Sequence, residues 1–411
     1  MKPTNPSGEN SGPWVRSRHR VVTKALTRLI GPVVRQKYGV TAEPFQGEAN
    51  QPYLILYNHQ TPCDQFFVTL SFRRPVYYLA TEDIFSKGWL SSVLRYLVGP
   101  IPIIKQTTDL NAIQAMVQVA REGGSIAIAP EGNRTYSGKT EYMSPSIALL
   151  AKKLKLPIAL YRIEGGYGVQ PRWSDGIRKG SMRAYVSQVI QPSEYMGMTG
   201  EGLFSLIREG LRVNEAAPNG VFRSDKKAEF LERLIYICPD CGLSRFESDG
   251  NEIRCLKCGR RVRYGEDKRL EGVGFSFPFS FVNDWYEYQN RFINQLDVTK
   301  LVQDPLYQDA VSVYEVIVYR RKNLLGKDVA LRLYGDRITL NERENREWTT
   351  LVFSDITGMA LIGRNRLNVY YENGIYQFRG NRRFNAIKYM HLYYRHRNVT
   401  KGNGHGEFLG L

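Results

Sequence analysis

Tyr53-Leu54-Ile55-Leu56-Tyr57-Asn58-His59-Gln60-Thr61-Pro62-Cys63-Asp64 is the stretch on which the fold turns. Its first five residues form an apolar run that reads as a short buried strand. Thr61 followed by Pro62 predicts a helix start, with Thr61 as N-cap and Pro62 at the first helical position. His59 then lies in a strand-to-helix turn and Asp64 in the first helical turn. From there Asp64 reaches one ring nitrogen and leaves the other free to take a proton. A plainer reading competes: Thr61-x-x-Asp64 also forms a capping box, in which Asp64 only satisfies backbone donors.

A second strand, Ser125-Ile126-Ala127-Ile128-Ala129, runs straight into Pro130-Glu131-Gly132-Asn133-Arg134-Thr135. Turns at the ends of strands in an α/β pattern are where ligands bind. Arg134 has the forked geometry that holds phosphate with two donors. The competing reading is a surface turn in which Glu131 pairs with Arg134.

Together the two segments resemble the glycerolipid acyltransferase family of the lysophosphatidic acid type. Its first block, His then four residues then Asp, is complete as His59 and Asp64, preceded by Asn58. Its third block, Pro-Glu-Gly-x-Arg, is Pro130 to Arg134. The second block matches Gly99-Pro100-Ile101-Pro102-Ile103-Ile104-Lys105, with Lys105 in place of the usual Arg. The fourth matches Leu156-Pro157-Ile158. The Phe-Lys-x-Gly segment that follows the third block in many members is absent; Met143-Ser144-Pro145-Ser146 stands there. The resemblance implies a one-step acyl transfer. His59 takes the proton of a glycerol hydroxyl as it attacks an acyl thioester, of coenzyme A or of acyl carrier protein. Asp64 orients His59. Asn58, Lys105, Glu131, Gly132 and Arg134 line the binding site, with Glu131, Arg134 and Lys105 at the acceptor's phosphate. The acceptor hydroxyl is the nucleophile, so no protein Ser or Cys is needed, and no G-x-S-x-G elbow is present. Cys63 reads as a small buried residue.

At 411 residues with 42% hydrophobic residues, the chain is long enough for two or three domains with real cores. Its net charge of +17 points to an anionic partner. No run of about 20 apolar residues exists, so no transmembrane helix is expected, and with a polar start no signal peptide is expected either. Five Cys, four of them in two C-x-x-C pairs, argue for metal rather than disulfides.

Residues 1–13 read as a disordered tail. Residues 14–45 contain a basic amphipathic helix, interrupted near Gly31-Pro32, with seven Lys or Arg and no acid between Trp14 and Tyr38. Val21, Val22, Leu26, Leu29, Ile30, Val33 and Val34 recur at helical spacing, a pattern suited to an anionic membrane surface. Residues 46–200 are the acyltransferase domain, an α/β fold with a mostly parallel sheet. Strands are expected at 53–57, 75–80, 125–129, 157–163 and 182–190, and helices at 109–122 and 145–155. A helical connection covers 201–235.

Cys238, Cys241, Cys255 and Cys258 form two knuckles separated by thirteen residues, each followed by Gly, at 236–264. They resemble a zinc ribbon whose four thiolates close a tetrahedral, structural site. Its Arg254, Lys257, Arg260, Arg261 and Arg263 keep nucleic-acid binding as an alternative. A helical linker spans 265–304, with its helix at 283–297. Strands at 311–320, 328–334, 337–341, 348–353, 357–362, 366–371 and 374–379, then a helix at 382–396, resemble a pleckstrin-homology-like domain over 305–400. Eight Lys or Arg against one Glu in 363–397 form a basic patch suited to lipid headgroups. His391 and His396 read as packing or surface residues.

The sequence thus predicts a peripheral enzyme, cytoplasmic and held at the inner face of the membrane. It acylates lysophosphatidic acid in phospholipid synthesis, and nucleic acid is not the expected partner. The alternatives are another acceptor, such as glycerol 3-phosphate, or a non-catalytic zinc-ribbon adaptor on a degenerate acyltransferase scaffold.

Overall fold

The structure is a computed structural model describing residues 12–48, 50–72, 74–86, 89–103, 109–317, 322–341, 348–372 and 374–401. Lys105 and residues 1–11 of the expected tail lie outside them.

Seven strands form the first sheet: β1 (Val40–Ala42), β2 (Leu54–Tyr57), β3 (Val76–Thr81), β4 (Ile101–Ile103), β5 (Ser125–Ile128), β6 (Ile158–Glu164) and β7 (Met182–Ile190). Their order is β1-β7-β6-β2-β5-β3-β4, and every pairing except β6–β7 is parallel. The central strand shows why its sequence is apolar throughout. Side chains alternate between faces, and helices cover both. Leu54 and Leu56 enter a core with Met116, Ala148, Leu203 and Ile207. Ile55 and Tyr57 enter another with Val34, Tyr38, Phe67 and Val68. Burying each such Leu or Ile contributes roughly 1.5–3 kcal/mol. The chain leaves β2 toward β3 and later returns on the other side to β6, so the crevice at the carboxyl end of β2 is a topological switch point.

Several boundaries differ from expectation. The helix after β2 is Asp64–Ser71, starting past Thr61 and Pro62, because those residues are held in a turn by Asp64 itself. The basic N-terminal segment does break where the sequence expects, near Gly31-Pro32, into two helices, Ser17–Leu29 and Gly31–Tyr38. The chain then enters β1 at the sheet edge. The helical reading of 201–235 holds for Gly200–Leu211 and a short turn at Leu231–Arg233. Between them the chain is irregular yet packs Phe222, Ala228 and Phe230 inside.

The cysteine module contains the β8 (Ile237–Cys238) and β9 (Gly242–Leu243) hairpin. Beside it lies an antiparallel sheet of β10 (Phe246–Asp249), β11 (Glu252–Cys255), β12 (Arg261–Tyr264) and β13 (Leu270–Gly272). The expected linker at 265–304 therefore begins inside this sheet, since β13 pairs with β12. Its helix is Val282–Gln295.

The last domain is a curled antiparallel sheet, ordered β17 (Trp348–Val352), β16 (Arg337–Asn341), β15 (Asn323–Leu333), β14 (Tyr307–Glu315), β20 (Gly374–Arg379), β19 (Arg366–Tyr371) and β18 (Ile356–Ile362). Its first strand starts earlier than expected, where Tyr307 pairs with Leu333. The closing helix is Ile387–Lys401, later than expected; the Asn385 side chain accepts the Lys388 N–H at its start. His391 is fully buried there, 2.7 Å from the Tyr236 hydroxyl, so it packs.

The three parts are not strung loosely. One core joins Tyr136 and Trp173 of the first domain, Ile253 and Val262 of the cysteine module, and Leu331 and Phe378 of the last sheet.

Candidate active site

β2 and β5 are paired neighbours, so the turns at their carboxyl ends meet. His59 Nδ1 lies 2.7 Å from Asp64 Oδ2. Asp64 is wholly buried and also accepts from Gln60 N at 2.6 Å, Thr61 N at 3.0 Å and Thr61 Oγ1 at 2.7 Å. Both readings of the motif therefore hold at once: Asp64 organises the turn and orients the ring. A carboxylate ringed by donors only accepts, so Nδ1 carries the proton and Nε2 presents its lone pair. The ring is 17% exposed, enough to meet a substrate. Burial lowers its pKa below the usual 6.5; Asp64 opposes this, and Arg134 and Arg172 reinforce it.

Glu131 braces the site rather than facing it. Its two oxygens accept the backbone N–H groups of His59 at 3.0 Å and Glu141 at 2.8 Å. Burial pushes its pKa up to about 8 against those two donors. It does not pair with Arg134 in a surface turn, because both residues are buried. Asn58 is likewise committed: its side chain donates to Ile163 O at 2.8 Å and accepts Ile163 N–H at 2.7 Å, tying the turn to β6. Gly132 has φ +65°, which any side chain would strain, while the space beside it is open. Cys63 is half-buried, and burial raises its thiol pKa.

Arg134 is 8% exposed. Its neighbours were not legible in the sequence. Arg172, from the loop after β6, donates to Arg134 O at 3.0 Å and stacks on Tyr136 with its guanidinium 4.2 Å from the ring centre. Arg364 comes from the turn between β18 and β19. A basic residue shortly after a strand end was the available signal for Arg172. Arg364 carried none, being 230 residues from Arg134.

In the cysteine module the four sulfurs lie within 4.8 Å of one another, and Cys238 Sγ is 3.8 Å from Cys258 Sγ. A tetrahedron with Zn–S bonds of about 2.3 Å has an edge of about 3.8 Å. Backbone N–H groups of Asp240 and Cys241 point at the Cys238 sulfur, and those of Lys257 and Cys258 at Cys255. Such donors favour thiolate ligands, so the residues fit a metal ion. Arg254, Arg260, Arg261 and Arg263 each pair with an acid, Glu247, Asp240 or Glu252. That neutralises much of the charge a nucleic acid would need.

No helix among the described residues is long and apolar enough to cross a membrane. The Ser17–Leu29 and Gly31–Tyr38 helices leave Val21, Leu29, Ile30 and Val33 exposed. The Trp89–Val98 helix packs beside the first of them, with Arg18 3.9 Å over the Tyr96 ring, and exposes Trp89, Leu90, Val93 and Tyr96. In the C-terminal basic patch, Arg364 and Arg382 pair with Asp175, Arg383 with Glu232 and Lys388 with Asp309.

Residues 36–163 match the family model described as Acyltransferase. A curated relative, 1-acyl-sn-glycerol-3-phosphate acyltransferase BAT2, chloroplastic, of Brassica napus, is 22% identical over 150 residues, 36% of this chain. The match spans 43% of that relative's length. Among solved structures, the 1-acyl-sn-glycerophosphate (LPA) acyltransferase PlsC from Thermotoga maritima is similar with a TM-score of 0.40 and 18% identity, over 48% of this chain and 80% of that one. The stretch that matches the acyltransferase family model, residues 36–163, thus contains both the His59–Asp64 turn and the Pro130–Arg134 turn.

Proposed function

We propose that this protein transfers a fatty acyl group from an acyl thioester to the free hydroxyl of lysophosphatidic acid. The observation that carries this is the His59–Asp64 pair in a partly open crevice beside Arg134. His59 Nε2 takes the hydroxyl proton as the oxygen attacks the thioester carbon. The tetrahedral adduct collapses, the C–S bond breaks, and the imidazolium returns the proton to the sulfur. Asp64 holds the ring and stabilises its charged form. Arg134 faces the acceptor's phosphate, with Lys105 as a second cation. Asn58, Glu131 and Gly132 shape the turns that hold His59 and Arg134 in place. Purified protein with labelled acyl-coenzyme A and acyl carrier protein donors and a panel of lyso-acceptors, read by mass spectrometry, tests the reading. Turnover that favours lysophosphatidic acid is expected; turnover of none of the acceptors rejects it.

Because burial holds His59 below 6.5, the neutral base persists to lower pH than a free imidazole would. The kcat/KM profile is expected to fall only as pH drops below 6.5. An acid limb centred above 6.5 removes His59 from this role.

The four Cys hold one structural zinc, with no position left for substrate. The apolar, basic face built by the N-terminal helices and the Trp89–Val98 helix docks on an anionic membrane, placing the crevice near its lipid acceptor. The protein is expected to sediment with anionic vesicles and to be released by salt. Trp89→Ala, which removes a side chain 77% exposed, is expected to cut the bound fraction severalfold. Equal binding to neutral and anionic vesicles argues against the electrostatic part.

A further inference from the structure

The last domain touches the candidate active site directly. Gly363 O, in the β18–β19 turn, accepts from Arg172 Nε at 3.1 Å and Arg134 Nη2 at 3.4 Å, and Leu361 O accepts from Arg172 Nη2 at 3.1 Å. The next residue, Arg364, pairs with Asp175 at 3.2 Å. Three guanidinium groups thus converge where the two domains meet.

The carboxylates around them are already committed. Asp64 serves His59 and the turn. Glu131 serves two backbone amides, and Glu141 accepts the Tyr136 N–H at 2.7 Å. Asp175 is shared among Arg233, Arg364 and Arg382. Arg134 is more than nine-tenths buried, and its Nη1 has no partner; Arg364 Nε is also buried without one. Buried donors are satisfied in native proteins unless a ligand or water completes them. Arg172 has its donors on carbonyl oxygens, so it fixes the geometry and adds charge. Burial, with Arg172 and Arg364 as neighbours, pulls the Arg134 pKa down to about 9.

We propose that Arg364, supplied by the C-terminal sheet, completes with Arg134 a phosphate-monoester site beside His59, positioned by Arg172, so that the C-terminal domain sets acceptor selectivity. This rests on the acyl-transfer reading for its substrate, and its binding test does not. The full chain is titrated calorimetrically with sn-glycerol 3-phosphate and with glycerol. Wild type is expected to bind the phosphate saturably and glycerol not at all. Arg364→Ala weakens binding by about tenfold or more, as loss of a charge-assisted fork predicts. Arg364→Lys recovers only part, because a point charge replaces the fork. Arg382→Ala, which removes an exposed partner of the same Asp175, stays within about twofold. Thermal melts confirm that each variant is folded.

In parallel, Arg364→Ala is expected to lower the ratio of kcat/KM for lysophosphatidic acid over monoacylglycerol by about tenfold. No saturable binding by wild type, unchanged binding by Arg364→Ala, or an equal loss in Arg382→Ala overturns the proposal. Arg364-dependent binding in a protein that acylates neither acceptor rejects the acyl-transfer reading and leaves the anion site standing. Turnover with an unchanged ratio and unchanged binding in Arg364→Ala does the reverse.

Discussion

His59→Ala is expected to abolish the proposed acyl transfer while the protein stays folded. The imidazole is the base of the proposed step, and general-base assistance is typically worth about 10²–10⁴-fold. The side chain makes one hydrogen bond, to Asp64, and is partly exposed, so its loss leaves little of the core unsupported. Asp64→Asn is expected to act on two properties at once. From sequence alone it is the milder change, since the base remains. In the structure Asp64 accepts from His59, Gln60 and Thr61 and is wholly buried. An amide places its NH₂ against one of these donors, at a cost of about 1–3 kcal/mol for the unsatisfied group. Turnover and urea midpoint should fall together in Asp64→Asn, and turnover alone in His59→Ala. Near-normal kcat in folded His59→Ala excludes the mechanism.

Cys255→Ser is expected to shed the proposed zinc and to lower the melting temperature by about 10 °C or more. Structural zinc binding is worth many kcal/mol of folding free energy, and each kcal/mol shifts the midpoint of a domain of this size by about 2–4 °C. Cys255 is 1% exposed at the end of β11, and its strand packs Ile253 into the core shared by all three parts. The damage therefore spreads to the sheet that carries Gly363 and Arg364. In molecules that remain folded, the acceptor KM is expected to rise while kcat changes little. Zinc content after exhaustive dialysis, together with melts, checks this. A zinc-free wild type that is folded and active, with Cys238 and Cys241 joined as a disulfide, refutes the metal site.

Wherever contacts are local in sequence, the sequence determined them. His59 and Asp64 stand five residues apart across a strand-to-helix turn, and their 2.7 Å contact follows from that spacing. Each C-x-x-C knuckle closes its own short loop, while the contact between knuckles, Cys238 with Cys258 at 3.8 Å, spans twenty residues and is made by the folded module. The α/β character of residues 46–200 was legible because β2 and β5 are short apolar runs ending in polar turns. Boundaries failed where a side chain beat local propensity, as when Asp64 gathered Gln60 and Thr61 into a turn and delayed the helix past Pro62. Tertiary structure alone decided which charges face one another. Glu131 was expected at the acceptor's phosphate, but parallel pairing of β2 with β5 sets its carboxylate on the His59 amide. Much of the basic run at 363–397 reads as a free patch, yet Arg382, Arg383 and Lys388 are spent on Asp175, Glu232 and Asp309, carboxylates far away in the chain. The convergence of Arg134, Arg172 and Arg364 has no period or spacing to betray it. It exists because packing one apolar core across three parts of the chain presses the β18–β19 turn against the carboxyl end of β5.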